Sequence, residues 1–560
     1  MKLKMKIDNI LSHIPFIKTS LSFLKNHKNI LHQYEITKDY ITLKKYFNFL
    51  KENNNKKINK KVLIVSLTHF LYQVKLEAML AKALQLAGCD IEVLTWKHCF
   101  WPKEYFRIFG INKFVYFEDY LNKLRNKDYK REKTVFLKQE INFQAVKKWR
   151  YKDCRIGQQV LSTIIRKMHG TPDILQPKIY EIFSHQLHKE LKAIDASEIM
   201  LNEVKPDILI FNEANGSIYG GIFDLAFNAG LDTIQFVQPF RDDALIFKRF
   251  DNESKGLHPN SVSKSTFEKI KGFDWTDKHE EELWQEFSWR YNGKWFLSSR
   301  NQIRARNKSK EEIIKQLGLD KNKKTAIIFS HILWDANLFY GEDLFEDYED
   351  WFIETIKAAC NNTYVNWIVK LHPANIWKRN RDSVKGDLRE IILIKESIGN
   401  LPPHIYLLYP ETDINTFSLF NFVDYGITVR GTTGMELPCF GKPVFTAGTG
   451  RYSGLGFTID SDSKEDYLDK LSRIHDFSPL TKEQNLTAKK HAYVLFNLRP
   501  WIMESFETEF KYKNKGAHPF DHNLHPKIKS LEELYSANDL RKFTNWVLNS
   551  KESDYLNRSL

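Results

Sequence analysis

Short, unbroken apolar runs punctuate an otherwise polar, helix-patterned chain. Val62-Leu63-Ile64-Val65-Ser66 is continuous, as expected of a strand buried on both faces. Leu71 to Ala87 follows with helical periodicity, Gly88 can close that helix, and Ile91-Glu92-Val93-Leu94 reads as the next strand. This β-α-β opening predicts a doubly wound domain, and it lacks G-x-G-x-x-G, so it is no dinucleotide fingerprint. Residues 120–200 read as a charged, mostly helical insertion. The alternation resumes with strands at 207–211 and 233–237, and 251–322 reads as a polar helical bridge.

A second alternation starts at Lys324. Strands are expected at 325–330, 367–371, 405–408, 422–429 and 443–446, with a helix over 351–360 and terminal helices over 464–475 and 481–508. Beyond about residue 511 the chain is polar without a clear period. The expected boundaries are therefore 1–61 for a basic helical extension and linker, 62–322 for an N-terminal Rossmann-like domain, 323–480 for a C-terminal one, and 481–560 for terminal helices and a polar tail. The class is α/β, two Rossmann-like doubly wound domains facing a cleft, with a helical N-terminal extension and a helical insertion.

Composition narrows the partners. The 560 residues exceed what one core organises, and the formal net charge of +14 suits an anionic partner. Nucleic acid is set aside, since no RNA- or DNA-binding motif occurs. Ile10, Leu11, Ile14, Ile17, Leu21 and Leu24 have helical spacing in the basic N-terminus, which reads either as an amphipathic segment at a membrane surface or as a helix docked on the domain. No segment offers ~18 uninterrupted apolar residues, and no signal peptide is apparent. The five cysteines are irregularly spaced, which predicts a reducing compartment rather than disulfides or a zinc site. The expected location is cytoplasmic, with peripheral attachment to the inner membrane an open option.

The densest chemistry lies between Thr428 and Asp460. Arg430-Gly431-Thr432-Thr433-Gly434-Met435-Glu436 reads as a small-residue turn opening a helix, followed by Gly441-Lys442-Pro443. Such a turn offers free N–H groups to a phosphate, Thr432 and Thr433 add hydroxyls, Gly434 allows close approach, and Glu436 can accept from ribose hydroxyls. A well-capped helix would show the same residues.

This stretch, with Gly448 to Thr458, Lys370-Leu371-His372-Pro373 and the segment Phe329 to Asp335, resembles the bacterial capsule polysaccharide biosynthesis family, which includes Kdo transferases. The resemblance covers residues 325–460 and is only fold-like over 62–250. It implies the GT-B fold and a nucleotide-sugar donor, CMP-Kdo among those to consider. Gly450-Arg451-Tyr452-Ser453-Gly454-Leu455-Gly456 departs from the Pro-Phe-Tyr-Ala-Gly-Trp-Gly type stretch of the Kdo transferases. The resemblance places His372 against the donor phosphate.

Strand ends supply the remaining candidates. His331 and Lys370 are expected to line the donor cleft, and Arg430 and Arg451 can pair with phosphate or a sugar carboxylate. Glu213, Asp242 and Asp243 follow strands of the N-terminal half and are the candidate catalytic carboxylates, as base or as nucleophile, beside His372. No metal is expected: the histidines do not cluster in sequence, and Asp460-Ser461-Asp462 reads as a solvated loop. No cofactor is expected beyond the donor substrate. The expected function is sugar transfer to an oligosaccharide or lipid-linked glycan of a bacterial surface polysaccharide, alongside other capsule-assembly proteins. A nucleotide-sugar epimerase of the same fold and a non-catalytic assembly protein are the alternatives.

Overall fold

The computed structural model describes residues 27–51, 57–238, 240–291, 295, 304–335, 338–382, 384–510 and 522–560. The basic segment around Ile10 to Leu24 lies outside them.

The strands are β1 (Lys61–Val65), β2 (Asp90–Thr95), β3 (Phe114–Tyr116), β4 (Ile208–Phe211), β5 (Asp232–Val237), β6 (Ala244–Arg249), β7 (Thr325–Phe329), β8 (Asn366–Lys370), β9 (Ile405–Leu408), β10 (Tyr425–Thr428), β11 (Val444–Thr446), β12 (Trp501–Ile502), β13 (Phe506–Phe510) and β14 (His522–Pro526). The N-terminal sheet has the order β12-β6-β5-β4-β1-β2-β3, and the C-terminal sheet β11-β10-β7-β8-β9. All neighbours are parallel except at β5–β6 and β6–β12. Both sheets therefore carry the expected α/β plan. Their near-continuous apolar runs follow from burial on both faces, as in Val62 to Val65 and Ala326 to Ile328, all fully buried.

Each sheet reverses direction beside its first strand, between β1 and β4 and between β7 and β10. Open α/β sheets bind ligands at the carboxyl ends of strands flanking such a switch point, because the diverging loops leave a crevice there. Residues 330–335, 371–373 and 429–436 leave the C-terminal sheet at that edge, and 66–70 and 212–218 leave the N-terminal one.

The insertion forms helices at Phe117–Lys123, Lys130–Leu137, Phe143–Lys147, Ile156–Met168 and Pro177–Val204. Pro177 opens the last one, where its missing N–H is no loss, and Lys205 ends it in a left-handed conformation. The insertion core, including Tyr129, Trp149 and Leu191, reaches across to Trp334, Leu338 and Phe339 of the C-terminal half. A second apolar cluster joins Phe240 and Ile246 to Phe287, Met435, Tyr452 and Phe496. Apolar packing thus ties the halves together on two sides of the cleft.

The chain end differs from the sequence expectation. The helix expected over 481–508 spans Lys482–Tyr493 with a π turn at Val494–Leu498, and stops before Pro500, which cannot continue it. Residues 501–502 then add β12 to β6 of the N-terminal sheet. Past residue 511, the stretch without a clear period holds β14 and helices Leu531–Ser536 and Asn538–Asn549. Leu540, Phe543, Trp546 and Val547 bury into the N-terminal core. Their i, i+3, i+6, i+7 spacing is helical, but one narrow stripe among polar residues is a weak signal. Lys248 Nζ lies 2.9 Å from Asp554, a fully buried pair that Arg499 joins at 3.3 Å.

Candidate functional site

The cleft at the C-terminal switch point encloses about 430 Å³. Eight of the expected donor-side residues line it: His331, Lys370, His372, Arg430, Thr432, Thr433, Glu436 and Arg451. Three β-strand ends deliver seven of them, β7 through His331, β8 through Lys370 and His372, and β10 through the turn from Arg430 to Glu436, and Arg451 follows β11.

His372 is held as a neutral donor. The Ala374 N–H donates to its Nδ1 at 3.2 Å, so the proton belongs on Nε2, and its own backbone N–H donates to Ser330 Oγ at 2.9 Å. Burial, then the charges of Lys378 and Lys370, push its pKa down to about 3. His331 is neutral by the same logic, with the proton on the other nitrogen. The Val429 N–H donates to its Nε2 at 3.1 Å, and burial followed by Arg430, His372 and Arg451 holds its pKa well below the usual range.

Lys370 is 4% exposed, and among the described residues neither a carboxylate nor a hydrogen-bond acceptor holds its ammonium. Burial lowers its pKa to about 8. Arg451 also lacks an ion-pair partner among the described residues; its Nη1 donates to the Arg430 carbonyl at 3.2 Å, and burial lowers its pKa to about 10. The other lining cations are engaged. Arg430 pairs with Asp343, and Arg290 lies 2.6 Å from Glu436 Oε1. Asp335 is held by Arg166 and Lys378. Two buried cations thus face the cleft unpaired. Arg430 Nε and Nη1 and Arg451 Nε find no hydrogen-bond partner among the described residues. Buried unpaired donors cost about 1–3 kcal/mol each.

Three expectations change in detail. The helix opened by Thr432 is a single turn, Thr433–Glu436, running into a 3-10 turn at Leu437–Phe440, so little macrodipole stands behind it. Gly434 does not line the cleft. Its N–H donates to the Gly431 carbonyl at 3.0 Å, and a Cβ would lie 2.0 Å from the Tyr452 hydroxyl, which itself donates to Gly431 at 2.8 Å. The Tyr452 hydroxyl thus leaves no room for a side chain at this position. The carboxylate of Glu436 is already engaged, by Arg290 and by the Tyr291 hydroxyl, which donates to Oε2 at 2.7 Å.

The N-terminal carboxylates stand apart from this lining. Glu213 is half-buried, accepts the Asn215 N–H at 2.9 Å, and lies close enough to the lining residue Tyr340 for its charge to act on that hydroxyl. Burial raises its pKa, partly countered by the Asn215 N–H and Arg166. Asp243 is turned onto Arg241, whose Nε donates at 2.7 Å. Asp242 is half-buried and within electrostatic reach of Tyr72. The structure brings neither aspartate to the donor cleft. Asp460 of the D-x-D stretch accepts from Thr446, Thr458 and Gly454, at 2.6–2.7 Å, and is a loop anchor.

Sequence reasoning missed His258, Arg290, Tyr291, Tyr340 and Tyr348 in the lining. Arg290 and Tyr291 end the helix Asp277–Tyr291, read only as a polar bridge. The one available signal was an arginine that shares a helix with Trp284, Phe287 and Trp289.

The spacing of Lys370-Leu371-His372-Pro373 from the Arg430–Glu436 turn, now closed into one cleft, sets the comparison with known proteins. Residues 287–486 match the capsule polysaccharide biosynthesis protein family. The match to this family spans β7 to β11 and every C-terminal lining residue described above, and also takes in Arg290 and Tyr291. Among curated proteins no relative matches. Similar solved structures include Thermosulfurimonas dismutans KpsC, beta Kdo 2,4 transferase, at 14% identity over 56% of this chain and 84% of that one, TM-score 0.32. They also include UDP-GlcNAc 2-epimerase from Neisseria meningitidis bound to UDP-GlcNAc, at 11% identity over 78% and 96%, TM-score 0.26. Anabaena Alr3699/HepE in complex with UDP and glucose is similar at 11% over 78% and 94%, TM-score 0.26. Among the described residues, no helix is long and apolar enough to cross a membrane.

Proposed function

We propose that this chain is a glycosyltransferase that moves a sugar from a nucleotide-sugar donor onto a growing bacterial surface polysaccharide or glycolipid. The observation that carries the reading is the pair of buried cations, Lys370 and Arg451, facing one cleft without carboxylate partners. Two negative charges would complement them, either a diphosphate or one phosphate together with a sugar carboxylate, as in CMP-Kdo. The family match over residues 287–486 supports the polysaccharide context.

In this reading the His372 Nε2–H donates to the phosphate as negative charge develops on it, a role that neutral imidazole performs with no change of protonation state. Thr432 and Thr433 supply hydroxyl donors. Glu213 removes the acceptor proton, since its raised pKa makes it a better base than an exposed carboxylate. Fixed cations meet the donor charge, so transfer should not need added magnesium. The acceptor is an oligosaccharide or a lipid-linked glycan, reached at the cytoplasmic membrane surface with other assembly proteins nearby.

The test is product analysis. The purified chain is incubated with a panel of nucleotide sugars, CMP-Kdo and UDP-sugars included, with and without glycan acceptors. Acceptor-dependent release of nucleotide with a new glycosidic bond is expected. Acceptor-independent inversion of the donor sugar would establish an epimerase instead. Nucleotide binding that never leads to turnover with any acceptor would favour a non-catalytic assembly role.

A further inference from the structure

The N-terminal half holds a second concentration of ligating side chains, built where three successive βα loops leave the same sheet edge. The parallel register Val65 with Leu94 sends the loops after β1 and β2 out side by side. His69 lies in the first, and His98 and Cys99 in the second. The third loop starts the helix Phe117–Lys123 and contributes Glu118. Nothing in the chain spacing announces the group, because His69 and Cys99 are brought together only by strand pairing.

One ligand atom from each of His69, His98 and Cys99 lies within 4.8 Å of the others. Cys99 Sγ is already 3.4 Å from His69 Nδ1 and 3.6 Å from its Nε2. Zinc–nitrogen and zinc–sulfur bonds of about 2.0–2.1 and 2.3 Å put tetrahedral ligand atoms roughly 3.3–3.6 Å apart, so the separation is already right, and a turn of the exposed His69 ring would aim one nitrogen at the ion. Glu118 supplies an independent feature. Its carboxylate accepts the Lys97 N–H with both oxygens, at 2.9 and 2.8 Å, and lies 2.8 Å from His98 Nδ1. A carboxylate fixed on one imidazole nitrogen leaves the other as a bare lone pair, the arrangement that orients histidines on metals. The thiol is buried and both imidazoles are exposed, so the group opens toward solvent on one side.

We propose that His69, His98 and Cys99 bind a zinc-class divalent cation, with Glu118 as the positioning residue for His98. Two imidazoles and one thiolate select a borderline-soft ion over magnesium or calcium, and three protein ligands leave a fourth position for water or an acceptor oxygen. The ion would clip the β1 and β2 loops together at the edge that faces the acceptor. Such a site departs from the reading of the sequence, which expected neither a metal nor a zinc site.

The test uses the full chain, free of any affinity tag and stripped with a chelator. Zinc is titrated in competition with a chromophoric chelator, and cobalt(II) serves as the spectroscopic probe. One tight zinc site per chain is expected, with a thiolate-to-cobalt charge-transfer band. Cys99→Ser should abolish the band and the tight site. His98→Ala, at an exposed side chain, should lose the tight site with an unchanged circular dichroism spectrum, and Glu118→Gln should weaken it about 10–100-fold. His525→Ala, elsewhere on the surface, should change nothing. A titration curve shared by wild type, Cys99→Ser and His98→Ala, with no charge-transfer band, would overturn the proposal and leave a thiol–imidazole hydrogen bond.

Discussion

The C-terminal sheet sends Lys370, His372, His331, Arg430 and Arg451 to its carboxyl edge, whereas the N-terminal sheet brings Glu213 to its own. Burial acts on both groups and moves them in opposite directions. It pulls Lys370 down to about 8, Arg451 to about 10 and His372 to about 3. It raises Glu213. Desolvation penalises whichever form is charged, so one physical cause lowers the pKa of the cations on one side and raises that of the carboxylate on the other. The lesson is that two copies of one plan acquire complementary chemistry from the residue types at their strand ends.

The comparison is broken most severely by Glu213→Gln. Turnover should fall by ~10²–10⁴ while donor affinity stays normal, read by initial rates and calorimetry. Should activity survive there and vanish in Asp242→Asn or Asp243→Asn, the base lies with that pair. On the opposite edge His372→Ala should cost ~10²–10³ in kcat, the scale for losing one preorganised donor to a developing charge. Normal turnover at saturating donor would make His372 structural.

Lys370→Met separates function from stability. It should weaken nucleotide binding by about 1.5–3 kcal/mol, the worth of a hydrogen bond to a charged group. The variant should nonetheless melt at a higher temperature, because a buried, unpaired ammonium is replaced by an apolar chain of similar length. A lower melting temperature would mean the ammonium has a stabilising partner. The wild type should show the same opposition with pH. As pH rises through about 8 the folded Lys370 loses its proton and nucleotide affinity declines. From about 8 toward the ordinary lysine range the unfolded chain holds the extra proton, so this group's contribution to stability rises with pH. Affinity that is flat from pH 7 to 9.5 would remove Lys370 from the donor contacts.

Gly434→Ala should have the smallest effect on chemistry. Its Cβ collides with the Tyr452 hydroxyl, so a loss of ~1–3 kcal/mol in unfolding free energy is expected, with donor affinity kept in the folded fraction. A selective loss of affinity would return Gly434 to the donor contacts.

Strand runs were legible in the sequence because burial on both faces leaves an unbroken apolar signature, as at Ala326 to Phe329. Short β3 and the antiparallel strands β6 and β12 were not, since β3 and β12 are too short to carry a period and Ala244–Arg249 ends in Lys248 and Arg249, whose charges are met by Asp554 and Asp232. Most donor-side residues could be named because they cluster within two short stretches, 370–372 and 430–436. Arg290, His258 and Tyr340 could not, since each reaches the cleft from a segment whose local pattern is ordinary. The glycine-rich turn illustrates a subtler failure: Gly434 was identified by residue type, yet its reason is a tyrosine eighteen positions on.

The return of the chain end to the N-terminal sheet has a consequence for synthesis on the ribosome. β6 emerges early, but its neighbour β12 and the buried counter-ion of Lys248, Asp554, follow roughly 250 and 300 residues later. At about 5–20 residues per second, the edge of the first sheet waits roughly a quarter of a minute to a minute for its cover. Through that interval Lys248 has no Asp554, and an open strand edge is available to other chains. The C-terminal half, whose five strands are contiguous in sequence, can close first. The half made last would then finish the one made first, and truncation within 501–555 should appear in cells as aggregation of the N-terminal half rather than as loss of the nucleotide site.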